Sequence, residues 1–494
     1  MTHSKPFCHA THDIIIIPRS RNNHSKMMEQ SFQDDGILSR YRIAALAILS
    51  LVASTLCPQP QSLNSQLQTH DLNPQPSAPM SVSDCMRFAV IHSHGLRQRQ
   101  LQLDNSQATR MQAIGAFLPS VNASAGTQWN FGRAINPETN TYTSVSTFNN
   151  GYGLSASLPL FDGLYRLHTL RAAHADVLMQ KNALQAERDQ VALETYQAFI
   201  DVIYAQEAVR LAKEKLSESE MMLRQTQVME EEGLKSKADV AQMEAQLAAD
   251  ALTVTRQENQ QETAMLRLKQ VMNWELKEVL RIKSEDLTIP AAQGGEDADS
   301  ASLPLRSPLE RQAFYAVESA RSNVRAARSS FFPSISLSAG INSSYFRNLD
   351  AATTTPFRNQ LKNNLGEYVS LNLSIPIFNR LGNIASLRRA RNNLYIAQEQ
   401  YAAKQTELEV LRQQARLDVL AYQKEATQGE RKVEADSLAY ELTRQQYAQG
   451  LASPIDLQTS AAILLQSRAA LLQSRLMIAV KELQRRYYEG LPLI

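Results

Sequence analysis

A chain of 494 residues with a net charge of only +2 generates no long-range field that would draw it to nucleic acid. Aromatic residues make up 6% and charged residues 20%, and long stretches rich in Ala, Gln, Leu, Arg and Glu favour extended helices over one large globular core. Its 3 cysteines give no disulfide framework. No phosphate-cradling glycine loop, CxxC pair or Ser/His/Asp pattern points to an enzyme, a cofactor or a metal. His92 and His94 form an HxH on a predicted helix, where neighbours two apart face different directions.

The chain opens with an extension, residues 1–57. Within it, Arg40-Tyr41-Arg42 precede IAALAILSLVASTL, an apolar run too short for a comfortable membrane span and suited to a signal peptide. The stretch before it is long for a basic n-region, which places the expected start at Met27 or Met28. Cys57 directly follows the apolar run and invites lipidation, but Leu56 occupies the place where a lipobox wants a small residue. A Gln/Pro/Asn/Ser-rich segment, 58–80, reads as a disordered polar linker.

From Ser81 the sequence runs in two copies, 81–290 and 306–494, joined by a linker at 291–305 that contains GGEDADSASLP. SLPLFD at 157–162 returns as SIPIFN at 374–379, an offset of 217 between Pro159 and Pro376. The same shift carries Gly233 to Gly450, Asp239 to Asp456 and Leu247 to Leu464. FLPSVNASAG at 117–126 likewise returns as FFPSISLSAG at 331–340.

Each copy begins with a predicted short helix. Ser81 and Asp84 mark its start in the first copy, and Ser307-Pro308-Leu309-Glu310 in the second, with ends expected at Pro119 and Pro333. Alternating segments follow: Tyr152, Leu154, Ala156, Leu158 and Leu160; Ile335, Leu337, Ala339 and Ile341; Val369, Leu371, Leu373, Ile375 and Ile377. Each is about ten residues long, the length a tilted strand needs to cross a bilayer. One face is apolar and the other small and polar, as lipid outside and water inside require. The polar stretches 132–149 and 346–366 are expected to be loops.

Long helices come next, Leu164–Glu232 and about Ser386–Gln449, with apolar residues seven apart and an eleven-residue step at Val191–Val202 and Leu408–Val419. Each ends near a glycine and turns into a second periodic run, so EEGLKSKAD and AQGLASPID are the tips of helical hairpins. No later apolar run suggests a membrane-spanning helix. Four strands cannot close a barrel alone, whereas three copies supply twelve. The competing reading is a soluble periplasmic coiled-coil structural or adaptor protein; a need for detergent separates the two.

The duplicated order helix–strand–strand–helix–tip–helix, the strand exits Pro159-Leu160-Phe161 and Pro376-Ile377-Phe378, and the two Gly-x5-Asp tips resemble the TolC-like outer membrane efflux proteins, over about Ser81 to Tyr488. The resemblance implies an α+β membrane protein with long α-helical coiled-coil hairpins and four transmembrane β-strands per protomer. As a homotrimer it forms a twelve-stranded β-barrel in outer membrane lipid and a twelve-helix periplasmic tunnel. It implies an exit duct of a tripartite efflux or type I secretion system, served by a periplasmic adaptor and an inner-membrane pump. Family members ring the tunnel entrance with acids three residues apart; Asp456 fills the first position and Thr459 stands in the second. Asp239 is the first-copy counterpart, and Lys235 is placed to meet Asp456 or Asp239. The bland alternative is that both aspartates are N-caps of the helices that follow. The tips, Gly233-Leu234 and Gly450-Leu451, are where an adaptor would dock.

Overall fold

The computed structural model describes residues 79–283 and 307–493, apart from 136–139, 145, 350–354 and 492. The expectations for the signal-like segment, Cys57, the start at Met27 or Met28, the linker 291–305 and most of the linker 58–80 lie outside the described residues. The last residue of the linker 58–80 corrects that expectation locally. Met80 is buried, its N–H donates to the Arg281 carbonyl at 2.8 Å, and its carbonyl accepts from the Lys283 amide at 2.9 Å.

The first copy holds α1 (Val82–His92), α2 (His94–Gly115), β1 (Ser120–Asn130), β2 (Arg133–Ile135), β3 (Tyr142–Ser144), β4 (Thr147–Phe161), α3 (Tyr165–Glu231) and α4 (Lys237–Met272). The second holds α5 (Pro308–Ser329), β5 (Ser334–Asn348), α6 (Phe357–Asn363), β6 (Gly366–Ser374), α7 (Gly382–Ala448) and α8 (Pro454–Glu489). Helices α3 and α7 are each 67 residues, and α4 and α8 each 36. At 1.5 Å per residue the longer pair reaches about 100 Å.

Ser81 starts α1 through a capping box: its hydroxyl accepts from the Asp84 amide, and the Asp84 carboxylate accepts from the Ser81 amide. The expected single short helix of the first copy is in fact two. Ser93 turns extended and its hydroxyl accepts from the Leu96 amide, so it starts α2 instead of continuing α1. In the second copy Ser307 and Pro308 do start α5, but Ser307 makes no side-chain cap bond. Glu310 turns away from the expected box to pair with Arg412 at 3.5 Å on α7.

The seven-residue pattern is a packing pattern. Val191, Val202 and Val209 are buried, as are their shifted counterparts Leu408, Val419 and Ala426. Helix α3 is the centre, touching α1, α2, α4, α5 and α8, while α7 touches α5 and α8. One core gathers Met86 of α1, Tyr196 and Phe199 of α3, Leu268 and Met272 of α4, and Leu483 of α8. A second, at the hairpin tips, gathers Met222, Met243, Tyr440, Tyr447, Leu457 and Leu464. Each large side chain so buried contributes about 1.5–3 kcal/mol relative to exposure.

Among the described residues α8 is the one helix long and apolar enough, by length and composition, to cross a membrane. That corrects the expectation that no such run follows the N-terminus. Part of that apolar content packs the helical hairpin: Leu457, Ala461 and Leu464, then Leu476, Val480 and Leu483, are buried at three- and four-residue spacings, while Ile455 and Ile463 stay exposed.

Candidate functional site

The strands of the two copies join in one antiparallel sheet of order β1-β4-β5-β6. Register sorts its faces. Val121 pairs with Ala156, Ala156 with Ala339, and Ala339 with Val369; one residue along, Asn122 pairs with Ser155 and Ser155 with Gly340. Since neighbours alternate in direction, one face carries Val, Leu, Ile and Ala, and the other Ser, Asn and Gly. On the polar face the Tyr368 ring lies over Gly340, 2.7 Å from where a Cβ would stand.

Neither face is a protein core. Val369 is 77% exposed and Leu371 66%, and the outer strands β1 and β6 have no further strand beside them among the described residues. A sheet with an apolar face and two open edges needs another surface to cover the one and pair the others.

The expected loops hold more structure than their polarity suggests. β4 starts at Thr147 and β5 runs on to Asn348, while β2 and β3 form a small hairpin between β1 and β4. In the other stretch α6 covers the edge of β5 beyond the end of β6. The Gln360 carboxamide accepts from the Phe346 amide at 2.8 Å and donates to its carbonyl at 2.9 Å, copying a strand partner.

The two Pro-x-Phe exits also differ. β4 runs through Pro159 to Phe161 with a register irregularity between them, whereas β6 stops at Ser374, leaving Pro376 and Phe378 beyond it. Pro159 is tolerated because β1 pairs only as far as Ser157, so its missing N–H lies where no neighbour asks for it. Ile377, between Pro376 and Phe378, is 94% exposed.

At each strand–helix corner two consecutive residues take left-handed backbone: Gly163 and Leu164 (φ 66° and 69°) before α3, Arg380 and Leu381 (φ 54° and 64°) before α7. Gly163 has no room for a side chain. A Cβ there would lie 2.6 Å from the Ser329 carbonyl oxygen and 2.8 Å from the Phe332 Cβ. This corner therefore presses the first copy onto the α5–β5 turn of the second.

At the tips, Gly233 and Gly450 have φ of 79° and 77°. The Leu234 amide reaches back to the Met229 carbonyl at 2.8 Å and the Leu451 amide to that of Gln446 at 2.8 Å, so both helices end in the same left-handed motif. Leu234 and Leu451 stand exposed at the two apices. The aspartates cap, but from the third helical position. Ser236 and Ser453 are the N-caps, and Asp239 and Asp456 accept from their amides at 2.9 and 3.1 Å and from their hydroxyls at 2.8 and 2.7 Å. These bonds hold both carboxyls below the usual carboxylate range, with the Ser236 amide the largest cause for Asp239 and the Ser453 hydroxyl for Asp456. Thr459 donates to the Ile455 carbonyl at 2.8 Å and faces solvent.

Lys235 pairs with neither aspartate. Its Nζ donates to the Ala452 carbonyl at 3.2 Å and lies 4.6 Å from the centre of the Tyr447 ring. Tyr447 is fully buried, with its hydroxyl 2.6 Å from that of Thr226. The two hairpin tips of one chain are thus tied by Lys235, Tyr447 and Thr226. Sequence reading missed Tyr447 and Thr226. The signal for Tyr447 was present, because it continues the seven-residue series through Val433 and Tyr440. Among the described residues no three His, Cys, Asp or Glu side chains converge as a metal site would require.

Comparison with known proteins adds a lineage to this geometry. A family model described as "Outer membrane efflux protein" matches residues 88–273 and 303–484. The pyoverdine export outer membrane protein OpmQ of Pseudomonas aeruginosa is 23% identical over 330 residues, 65% of this chain and 65% of OpmQ. SilC of Salmonella typhimurium, described as a probable outer membrane lipoprotein, is 24% identical over 318 residues, 63% of this chain and 64% of SilC. The chain therefore spans about two thirds of the length of the curated relatives it matches. The crystal structure of CusC superposes with a TM-score of 0.71 at 18% identity, covering 83% of this chain and 92% of CusC.

Proposed function

The chain belongs to the outer membrane efflux protein family, and from that premise we propose that it is the outer-membrane exit duct of a tripartite efflux or type I secretion system. It is a passive conduit from periplasm to exterior. The observation that carries this reading is the sheet: an apolar face with no protein cover, two unpaired edges, and strands that pass straight into 67-residue helices. Three copies pair β6 of one with β1 of the next, which closes a twelve-stranded barrel and turns the apolar face to lipid. The Ser/Asn/Gly face then lines water. Helices α3, α4, α7 and α8 continue the wall into the periplasm, where the exposed Leu234 and Leu451 meet an adaptor bound to an inner-membrane pump.

Asp456 is the gating residue of this reading. Its capping bonds use one carboxylate oxygen and leave the other free at an exposed apex. Three such carboxylates around a narrow axis attract cations and repel anions. Lys235, tied to Ala452 and Tyr447, keeps the two tips of each protomer together beside that entrance. The soluble coiled-coil reading leaves the bare apolar sheet unexplained.

The test is conductance of detergent-purified protein in a planar bilayer, wild type beside Asp456→Asn. Small cation-selective channels in the wild type, with a weaker cation preference in the variant, are expected. Equal selectivity in the two would return Asp456 to a capping role alone, and absence of channels from folded protein would remove the conduit.

A further inference from the structure

The upper end of the sheet carries a feature that channel function alone does not use. Five aromatic rings form a continuous band on the apolar face. Trp129 of β1 lies 5.1 Å from Phe148 of β4, Phe148 6.2 Å from Tyr345 of β5, and Tyr345 5.1 Å from Phe357 at the start of α6. Phe357 also meets the Tyr152 ring at 6.3 Å. Register fixes the side: Tyr152 is two residues from Leu154, and Leu154 pairs with Ile341. The band therefore sits directly above the aliphatic belt, at the end of the sheet far from the long helices.

Cations stand beside this band. Arg347 is the register partner of Phe148 and is exposed. Helix α6 adds Arg358 and Lys362, four residues apart on one side and both exposed, while Gln360 and Asn364 hold the helix to the β5 edge. None of the three cations has a carboxylate partner within ion-pair distance among the described residues. The acid on this face, Glu367, pairs with Ile341 and so lies six residues down the strand from the level of Arg347.

We propose that Arg347, Arg358 and Lys362, seated at the aromatic band, bind the phosphate groups of a phosphorylated glycolipid in the outer leaflet of the membrane. The inference rests on the reading of the apolar face as lipid-facing. Aromatic rings that are apolar in body and polar at the edge settle at the level of lipid head groups, and basic side chains beside them reach anionic lipid phosphate. Two arginines suit that ligand because the guanidinium plane offers paired donors to phosphate oxygens. Gln360 and Asn364 fix α6 to the β5 edge, so the helix backbone that carries two of the three cations is in place before lipid arrives. A bilayer whose head groups carry no net charge satisfies the aromatic band but not the cations.

The full-length protein in detergent is titrated with bis-phosphorylated lipid A, dephosphorylated lipid A, phosphatidylcholine and inorganic phosphate, and its unfolding midpoint is followed. The variant Arg347→Gln/Arg358→Gln/Lys362→Gln is run beside a control, Lys237→Gln/Arg431→Gln, which removes exposed charge from the long hairpins. The expected result is a rise in midpoint with the phosphorylated lipid alone, kept in the control and lost in the triple variant. An equal rise with the dephosphorylated lipid, or with inorganic phosphate, overturns the proposal, as does an unchanged response of the triple variant. Conductance in pure phosphatidylcholine bilayers separates this failure from the other: channels without a lipid A response sink the lipid site only, whereas no channels sink the conduit beneath it. A triple variant that fails to fold is replaced by single Arg358→Gln, at an exposed position of α6, which is expected to lower lipid A affinity several-fold.

Discussion

Gly163→Ala is the sharpest perturbation the fold offers. Two costs arise at that corner. A non-glycine residue in left-handed backbone loses about 1–2 kcal/mol, and a methyl driven into a filled site adds typically about 1–3 kcal/mol. Both apply at Gly163, because φ is 66° and the new Cβ would meet the Ser329 carbonyl at 2.6 Å and the Phe332 Cβ at 2.8 Å. The combined loss is about 2–5 kcal/mol per chain. Two controls separate the contributions. Gly233→Ala carries the backbone cost alone, since nothing lies within 4 Å of its Cβ position. Arg380→Gly relieves left-handed strain at the equivalent corner of the second copy, and is expected to be neutral or slightly stabilising. Unfolding of detergent-solubilised protein, followed by helical circular dichroism at one scan rate, should rank Gly163→Ala well below Gly233→Ala, with Arg380→Gly near wild type. A Gly163→Ala midpoint level with Gly233→Ala would refute the close approach of the two copies at this corner.

Other expectations concern the tips. Tyr447→Phe removes the bond to Thr226 at a cost of about 0.5–1.5 kcal/mol, whereas Tyr447→Ala opens a cavity costing about 3–5 kcal/mol. Hydrogen exchange at the Leu234 and Lys235 amides should quicken slightly in the first and strongly in the second, and unchanged protection in Tyr447→Ala would remove the tip-to-tip tie. Asp239 and Asp456 make the same capping bonds, and both carboxyls are held low. A lowered folded value means that the cap stabilises fully above the ordinary carboxylate range and is lost as pH falls through the lowered value. Were three Asp456 side chains to meet on the axis as proposed, their mutual repulsion would raise their value relative to Asp239. Carboxylate titration by NMR, or exchange at residues 236–240 and 453–457 against pH, should find Asp456 protonating first; identical titration of the two would count against the ring.

The sequence made the largest elements readable because they obey periods. Seven-residue apolar spacing with one eleven-residue step marked α3 and α7, and glycine followed by a serine-led turn marked both tips. Alternation marked β4, β5 and β6, since one face needs apolar residues and the other does not. What escaped reading depends on single side chains or on distant pairing. Ser93 breaks a helix that its flanks would continue, and the Gln360 side chain turns a polar stretch into a strand cap. Lys235 looks like a partner for the nearby acids, yet the ring of Tyr447 and the carbonyl of Ala452, 217 residues downstream of it, supply a closer seat. Pro376 repeats Pro159 in sequence but not in structure, because β5 pairs with β4 through Pro159 to Phe161, whereas its first residue, Ser334, already faces Ser374 of β6 and leaves Pro376 without a strand partner.

The central claim is that the sheet is part of a barrel wall, with lipid on one face and water on the other. Single cysteines at Val369, Ser370, Leu371 and Asn372, introduced into a background with Cys8, Cys57 and Cys85 replaced by Ala and reconstituted in vesicles, test it by reaction with a charged, membrane-impermeant thiol reagent. Reaction at Ser370→Cys and Asn372→Cys, with Val369→Cys and Leu371→Cys protected, is the expected outcome. Val369, Leu371 and Asn372 are all exposed on the single chain, so even reaction at those three positions would show a sheet that stays in water and would contradict the account.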